Sequence, residues 1–279
     1  MKYRVVADSS SNLFSFENLD YICTPLTVIV DGKQFVDNGL VNITEMEEAL
    51  NASKEKTGSS CPNTYQWEET FEGADAVFIV TMTGTLSGTY NAAKQAAEGY
   101  MEQHPEVKIH VIDSLSTGPE MVLLVEKLKE LIDENKDFET IRDEITEYQK
   151  HTHLLFTLQS LKNLAKNGRI NPSIAKLLGL LGINIVGRAS AEGTLELIDK
   201  CRGPKKAIRL LMNELEKNGF NGRKIRIAHN HNLEGAGNVK MEILSKYPFA
   251  DVMIMDCGAL DAYYAEENGM LIGFEDALN

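Results

Sequence analysis

Basic side chains are in short supply: 28 Lys and Arg stand against 41 Asp and Glu, and 28 − 41 gives a formal charge of −13 at pH 7. That balance excludes a binder of the phosphate backbone, whose affinity rests on clustered cations, and a protein that docks on an anionic membrane surface. A long apolar run is also missing. A membrane-spanning helix needs about 18 or more such residues, whereas the quietest stretch, Leu177 to Gly187, is shorter and holds Asn184. Cysteine is sparse, and Cys23, Cys61, Cys201 and Cys257 form no C-x-x-C pair; such cysteines are expected to be reduced thiols, most often in the core. Met1-Lys2-Tyr3-Arg4 is basic, but Asp8 follows after only Val5, Val6 and Ala7, which is not the pattern of a signal peptide. Neither G-x-x-x-x-G-K-[ST] nor G-x-G-x-x-G occurs in the first half, and no repeat or low-complexity segment is evident. What remains, 43% apolar and 25% charged over 279 residues, is an ordinary globular chain with room for about two domains. The expectation is a soluble, cytoplasmic protein that handles something small.

Three short apolar runs in the first half each stop at a hydroxyl-rich turn. Tyr3 to Ala7 ends at Asp8-Ser9-Ser10-Ser11-Asn12, Ala76 to Val80 at the Thr81–Thr89 segment, and Ile109 to Ile112 at Asp113-Ser114-Leu115-Ser116-Thr117-Gly118. Helical patterns follow the second and third, over Tyr90 to Met101 and Glu120 to Glu134. Such alternation predicts parallel β-α-β units, in which the loops leaving the strands' carboxyl ends gather on one ligand-binding edge. Each loop also runs toward a helix N-terminus, where unpaired N–H groups favour an anion. Ser and Thr cap helices in any case, but five hydroxyls between Thr81 and Thr89 exceed what capping requires. No Lys or Arg lies between Val80 and Lys94. The donors are therefore neutral, which suits a singly charged group such as a carboxylate better than a triphosphate. A fourth polar segment, Thr57 to Asn63, precedes a helical Tyr65 to Phe71 and reads as a capped loop.

From about His151 the texture changes. A helix is predicted over Thr157 to Asn167, closed by Gly168. Ile183 to Arg188 and Thr194 to Lys200 flank Ala191-Glu192-Gly193 as a β-hairpin. Pro204 to Asn218 is a helix with Pro at its start and Gly219 past its end, and Lys224 to Asn230, Ala250 to Asp256 and Met270 to Glu275 are further strands. The prediction is an α/β protein of two domains, a parallel-sheet α/β domain over residues 1–150 and an α+β domain over 151–279. Between them Ile174 to Ile183 reads as core by periodicity, with the wall of a greasy tunnel as the alternative.

Ser87 invites comparison with a nucleophile elbow, but G-x-S-x-G would need the Ser one residue earlier. A hydrolase also needs a His held by an acid, for which His229 and His231 are available, so an acyl-ester hydrolase using Ser87 stands as the alternative function. His229-Asn230-His231 has a spacing that puts both rings on one face of a strand. Zinc would need a third ligand, and none is close in sequence, so these read as polar strand-end residues. His104, His110, His151 and His153 read as surface or strand-edge histidines. Arg169, and Arg202 with Lys205 and Lys206, are basic points in an acidic chain, either plain surface charge or a docking patch.

Six segments, in order, resemble the DegV family over essentially the whole chain. They are Asp8-Ser9-Ser10, Ser59-Ser60-Cys61-Pro62-Asn63, Thr85-Leu86-Ser87-Gly88-Thr89-Tyr90, Ile112-Asp113-Ser114, Asn167-Gly168-Arg169-Ile170 and Arg202-Gly203-Pro204-Lys205-Lys206. The resemblance implies a C-terminal domain with a mainly antiparallel sheet and a long-chain fatty acid in a tunnel between the domains. It further implies a carrier, itself without catalysis or cofactor, that presents the acyl carboxylate to a separate ATP-binding fatty acid kinase subunit. Carried onto this chain, Ser59, Ser60, Thr85, Ser87, Gly88 and Ser114 are the expected ligand-binding residues, Arg169 and Arg202 the partner-docking ones, and the Leu177–Ile183 region helps enclose the tail. The chain departs from the family at its C-terminal His motif. Tyr264 takes the His position, and Glu266 and Glu267 replace a Gly-Pro; a Tyr hydroxyl still donates a hydrogen bond but carries no charge. No nucleic acid, metal or stable membrane insertion is expected.

Overall fold

A computed structural model describes residues 1–170, 174 and 182–277. Strand β1 (Tyr3–Asp8) is followed by β2 (Tyr21–Thr24), β3 (Thr27–Val30), β4 (Lys33–Val36), helix α1 (Ile43–Ala52), β5 (Gly58–Ser60) and α2 (Thr64–Glu68). Then come β6 (Ala76–Thr81), α3 (Thr89–Gln103), β7 (Lys108–Asp113), α4 (Pro119–Asp133) and α5 (Phe138–Tyr148). Strands β2-β1-β6-β7 make a parallel sheet in that order. Every residue of β6 is buried, which a central parallel strand covered on both faces requires. Helices α2 and α3 cover one face around Trp67, Phe71, Ala93 and Ala97. A small antiparallel sheet, β4-β3-β5, was not legible as strands, because its members are three or four residues long.

The second sheet draws on β8 (Thr152–Leu158), β9 (Asn184–Ala189), β10 (Leu195–Cys201), β11 (Phe220–His229), β12 (Asp251–Asp256) and β13 (Met270–Asp276). Its order is β10-β9-β8-β13-β11-β12, antiparallel except for the parallel β11–β12 pair. Helices α6 (Lys162–Lys166), α7 (Pro204–Lys217), α8 (Leu233–Lys246) and α9 (Ala259–Ala265) complete the described elements. The helix expected from Thr157 is corrected: Thr157 and Leu158 end β8, and only Lys162–Lys166 is helical. Leu154, Phe156 and Leu158 face one core and Leu155 the other, and such two-sided burial erases the alternation that marks a strand. Gly168, at φ +67°, does close α6, and the Arg169 N–H returns to the Leu164 carbonyl at 2.8 Å. The hairpin forms as expected around Ala191-Glu192-Gly193, whose tip packs on Thr83. Most of the Ile174–Ile183 segment, including Leu177 to Leu181, lies outside the described residues.

Helix α4 holds the two sheets together. It contacts β1 and β6 of the first and β8, β11 and β13 of the second, and Pro119 to Val125 are all buried. A helix apolar all round is a helix buried all round. Its start lies directly on β13, where a Cβ on Gly273 would fall 2.4 Å from Glu120 N. Further along, Arg226 of β11 forks onto Glu126 with two contacts of 2.8 Å and reaches Asp251 at 2.7 Å, with 5% of its side chain exposed.

Two substitutions of glycine by alanine are expected to act with opposite sign. Gly273→Ala, which meets rigid backbone, lowers urea-unfolding stability by about 1–3 kcal/mol. Gly237→Ala, on α8 with nothing near its Cβ position, raises it by about 0.5–1 kcal/mol. Equal effects at the two positions would show that the α4–β13 contact is not close.

Candidate functional site

A cavity of about 270 Å³ lies between the two sheets, bounded by β5, the start of α3, β8, α6, α9 and β13. Its wall is mostly apolar, with Leu26, Met82 and Leu86 from the first half and Leu154, Phe156, Leu158 and Leu271 from the second. The polar residues gather where the lining reaches solvent: Ser60, Gly88 and Arg169 are exposed, and Ser59, Cys61, Ser87 and Tyr264 are half-buried. An apolar chamber with a few polar groups at one opening suits an amphiphile with a small polar head.

Each polar group is held by something specific. Ser59 is carried on β5 opposite Val28, and its Oγ lies 2.9 Å from the Tyr264 hydroxyl. Burial pushes the Tyr264 phenol above its usual pKa, so it stays a neutral donor. The neighbouring Tyr263, fully buried, fixes α9 in turn: its hydroxyl lies 2.8 Å from Thr57 Oγ1 and accepts from Asn167 Nδ2 at 2.8 Å. Ser87 and Gly88 open helix α3, which has no side-chain cap; the Thr89 N–H goes to Ser87 Oγ at 3.3 Å. Asp113 holds this loop in place by accepting the Gly84 N–H at 3.1 Å.

Of the residues expected to bind ligand, Ser59, Ser60, Ser87, Gly88 and Tyr264 line the cavity together. Thr85 and Ser114 do not. The Thr85 hydroxyl donates to the Glu192 carbonyl at 2.7 Å and so ties the loop to the hairpin, and Ser114 Oγ donates to the Ser116 carbonyl at 3.1 Å. Ser9, Ser10 and Ser11 are buried, and their hydroxyls bond the Leu26 N–H, the Asp8 carboxylate and the Asp8 carbonyl. The loops do converge, through Met82 N–H on Asp8, Gly118 N–H on Ser10 and Thr83 N–H on Ser116, but most of their hydroxyls serve the convergence itself.

Arg169 brings a charge that the neutral-donor reading did not place here. It is the one basic residue of the lining among the described residues. Arg202 is exposed at the start of α7 and does not line the cavity. Glu266 and Glu267 point elsewhere, into a groove with Glu47, Glu48 and His231, and Glu266 Oε1 accepts the Asn163 N–H at 3.0 Å. The H-x-H pair does not share a strand face: β11 ends at His229, and His231 has φ +51° and pairs with Glu47 at 2.7 Å. Among the described residues no histidine lines the cavity, and no cluster of three or more His, Cys, Asp and Glu could hold a metal ion. The four cysteines are free thiols; Cys201 and Cys257 are buried and Cys61 is part of the lining.

Three buried carboxyls, Asp8, Asp37 and Asp261, lie beneath this site, and of these the sequence reading singled out only Asp8. Asp37 accepts the Ala259 and Leu260 N–H groups at the start of α9, at 2.7 and 3.2 Å. Asn12 donates to Asp261 at 2.7 Å and accepts the Gly258 N–H at 2.7 Å. Burial raises all three acids, Asp8 to about 6 and Asp261 to about 7, with mutual repulsion adding to the shift of Asp8 and Asp261. The available signal was a lone acid in the apolar stretch Gly258-Ala259-Leu260-Asp261-Ala262.

Because these acids hold their protons more tightly folded than unfolded, their contribution is present at low pH and is lost as pH rises through their folded pKa values. Stability is expected to fall between about pH 4 and 7, and Asp261→Asn to flatten that fall by on the order of 1 kcal/mol or more. Urea titrations at several pH values check this; an Asn variant with an unchanged slope would remove Asp261 from the account.

Known proteins share this architecture. A family model described as "Uncharacterised protein, DegV family" matches residues 2–275. A DegV domain-containing protein of Streptococcus pneumoniae is 42% identical over 279 residues, covering 99% of each chain. Among solved structures, the Streptococcus pneumoniae Fatty Acid Kinase (Fak) B3 protein loaded with linoleic acid superposes with a TM-score of 0.96 at 42% identity, covering 99% of this chain and 100% of that one. A DegV family protein from Eubacterium eligens loaded with heptadecanoic acid gives 0.96 at 39% identity, with the same coverage. With the family model matched over residues 2–275 and relatives 42% identical over almost the whole length, the chain belongs to the DegV family.

Proposed function

We propose that the protein binds a long-chain fatty acid in this cavity and, as a carrier, presents its carboxylate to a separate ATP-binding kinase subunit. The observation that carries this is the polarity of the cavity, an apolar chamber that opens beside Ser59, Ser87, Gly88, Tyr264 and Arg169. Relatives loaded with linoleic and heptadecanoic acids support the ligand class, and the fatty acid kinase B3 protein supports the carrier role. The division of the chain near residue 150 then puts the ligand between two domains, with β1 to β7 on one side and β8 to β13 on the other.

In this arrangement the carboxylate takes hydrogen bonds from the Ser59 and Ser87 hydroxyls and the Gly88 N–H, with the positive end of α3 behind it. Tyr264 donates in place of a histidine, and Arg169 supplies the positive charge that a phenol lacks. A charge-assisted hydrogen bond is roughly twice as strong as a neutral one. The head remains at the open end, where a partner's phosphoryl donor can reach it. Hydrolysis of an acyl ester is less well supported, since Ser87 Oγ accepts a backbone N–H and, among the described residues, no histidine of the lining is there to take its proton.

Each methylene buried contributes about 0.8 kcal/mol, so lengthening the acyl chain by two carbons is expected to tighten binding about tenfold until the cavity is full. Fluorescence displacement with saturated acids of increasing length measures this. Protein purified free of lipid that also refuses palmitate and oleate would end the fatty-acid reading.

Arg169→Gln is expected to weaken binding by about 1.5–3 kcal/mol and Tyr264→Phe by about 0.5–1.5 kcal/mol, the former with the steeper salt dependence. Calorimetric titration of palmitate against both variants at two ionic strengths tests it. Equal affinity in Arg169→Gln and the native protein would return the arginine to partner docking alone.

A further inference from the structure

Among the described residues, most of those at positive φ that are not glycine are Asn or Asp, which tolerate that backbone. Glu266 is not of that kind. It follows directly on α9, the helix that carries Tyr264, and stands at φ +55° and ψ −172°, beside a region that only glycine occupies freely. Its backbone is fixed there by hydrogen bonds. The Glu266 N–H goes to the Ala262 carbonyl at 3.0 Å, and the Glu266 carbonyl accepts from Asn230 Nδ2 at 3.0 Å and from the Gly269 N–H at 3.2 Å. A strained residue persists only where its surroundings over-determine it, and such residues gather where the strained geometry is used.

The use here is made by the carboxylate. Glu266 Oε1 accepts the Asn163 N–H at 3.0 Å, at the start of α6. That short helix has no side-chain cap from Leu161, the residue before it; the Lys162 N–H goes to Ser160 Oγ at 3.2 Å and the Asn163 N–H to Glu266. Asn163 Nδ2 also donates to the Tyr263 carbonyl at 2.8 Å, so this end of α6 is clamped to the end of α9. From the clamp the helix carries Leu164 into the cavity lining and leads to Arg169, whose N–H returns to the Leu164 carbonyl and whose guanidinium donates to the Asn167 carbonyl at 3.2 Å. Glu266 itself does not line the cavity. Resting on the reading of Arg169 as a carboxylate-binding group, we propose that Glu266 is a positioning residue for fatty-acid binding, which acts through α6 to set where Arg169 stands at the opening. Without the clamp the arginine spreads over more positions, and binding then carries the entropic cost of fixing it.

The test is a double-mutant cycle on the full-length protein, read as palmitate affinity by calorimetric titration at two ionic strengths. Glu266→Ala is expected to weaken binding about three- to tenfold and to lessen its salt dependence. Glu266→Gln, which keeps an acceptor in the same place, binds within about twofold of the native protein. In an Arg169→Gln background Glu266→Ala costs nothing further, because the two residues act as one unit. Glu266→Gly relieves the strain but still lacks the acceptor; it weakens binding as Glu266→Ala does and carries the test should that variant fail to fold. Native affinity in Glu266→Ala and Glu266→Gly, or the same loss with and without Arg169, overturns this inference alone. Native affinity in Arg169→Gln overturns the arginine reading and this inference with it, and refusal of palmitate by the native protein overturns the fatty-acid reading beneath both.

Discussion

Helix α9 of the C-terminal half is held by side chains that emerge from the first forty residues. Asp37 accepts the two N–H groups at its start, and Asn12 bridges Gly258 N–H and the Asp261 carboxyl. Everything about the cavity follows from this joint. It puts Tyr264 against Ser59, brings Leu260 and Ala265 into the wall, and sets the Tyr263 hydroxyl between Thr57 and Asn167. The hydrogen bonds that Asp8, Asp37 and Asp261 accept from N–H groups of neighbouring loops offset part of the penalty of burying them. That loss of solvation is why the Asp8 and Asp261 pKa values move toward neutrality.

A second joint, α4, works by different physics. Its first turns are buried in every direction and, apart from Glu120, apolar, and they lie between the sheets, so association of the two halves buries area that neither could cover alone. Where α4 becomes polar, the contact changes to the Glu126–Arg226 and Glu130–Lys224 pairs. The buried Glu126–Arg226 pair contributes little net stability when intact but penalises any arrangement that separates it, whereas the half-exposed Glu130–Lys224 pair is screened by solvent. Hydrophobic area holds the halves together, and the ion pairs fix how α4 sits on β11.

Part of the acid excess behind the charge of −13 lies in a groove apart from the opening. Glu47, Glu48, Glu266 and Glu267 share that groove, and the one base of the lining among the described residues, Arg169, follows the turn that closes α6. A cation close to an anion outweighs like charges farther off, because the Coulomb energy falls with distance. The replacement of a histidine by Tyr264 therefore leaves the site with a positive charge, supplied from a different element.

Much of this was legible beforehand. Parallel strands ending in hydroxyl-rich turns, the hairpin at Ala191-Glu192-Gly193, the helix after Pro204 and the neutral site at Ser87-Gly88 all follow from local pattern. Turn chemistry, capping and periodicity act over a few residues, and a sequence displays them directly. The six ordered motifs carried the family for the same reason. Other features depend on which groups meet across the chain. Strand β8 hid because both its faces are covered, and β3 to β5 because they are too short to show a period. Only the tertiary structure could distinguish Ser59 and Ser87, which face the cavity, from Thr85, Ser114 and the Ser9–Ser11 turn, whose hydroxyls are taken by neighbouring groups. Only it could bring Asp261 under Tyr264, set Arg169 in the cavity lining and point Glu266 away. A side chain's chemistry is written in the sequence, but whether it is left free to act is decided by its partners, and those lie as much as 249 residues away.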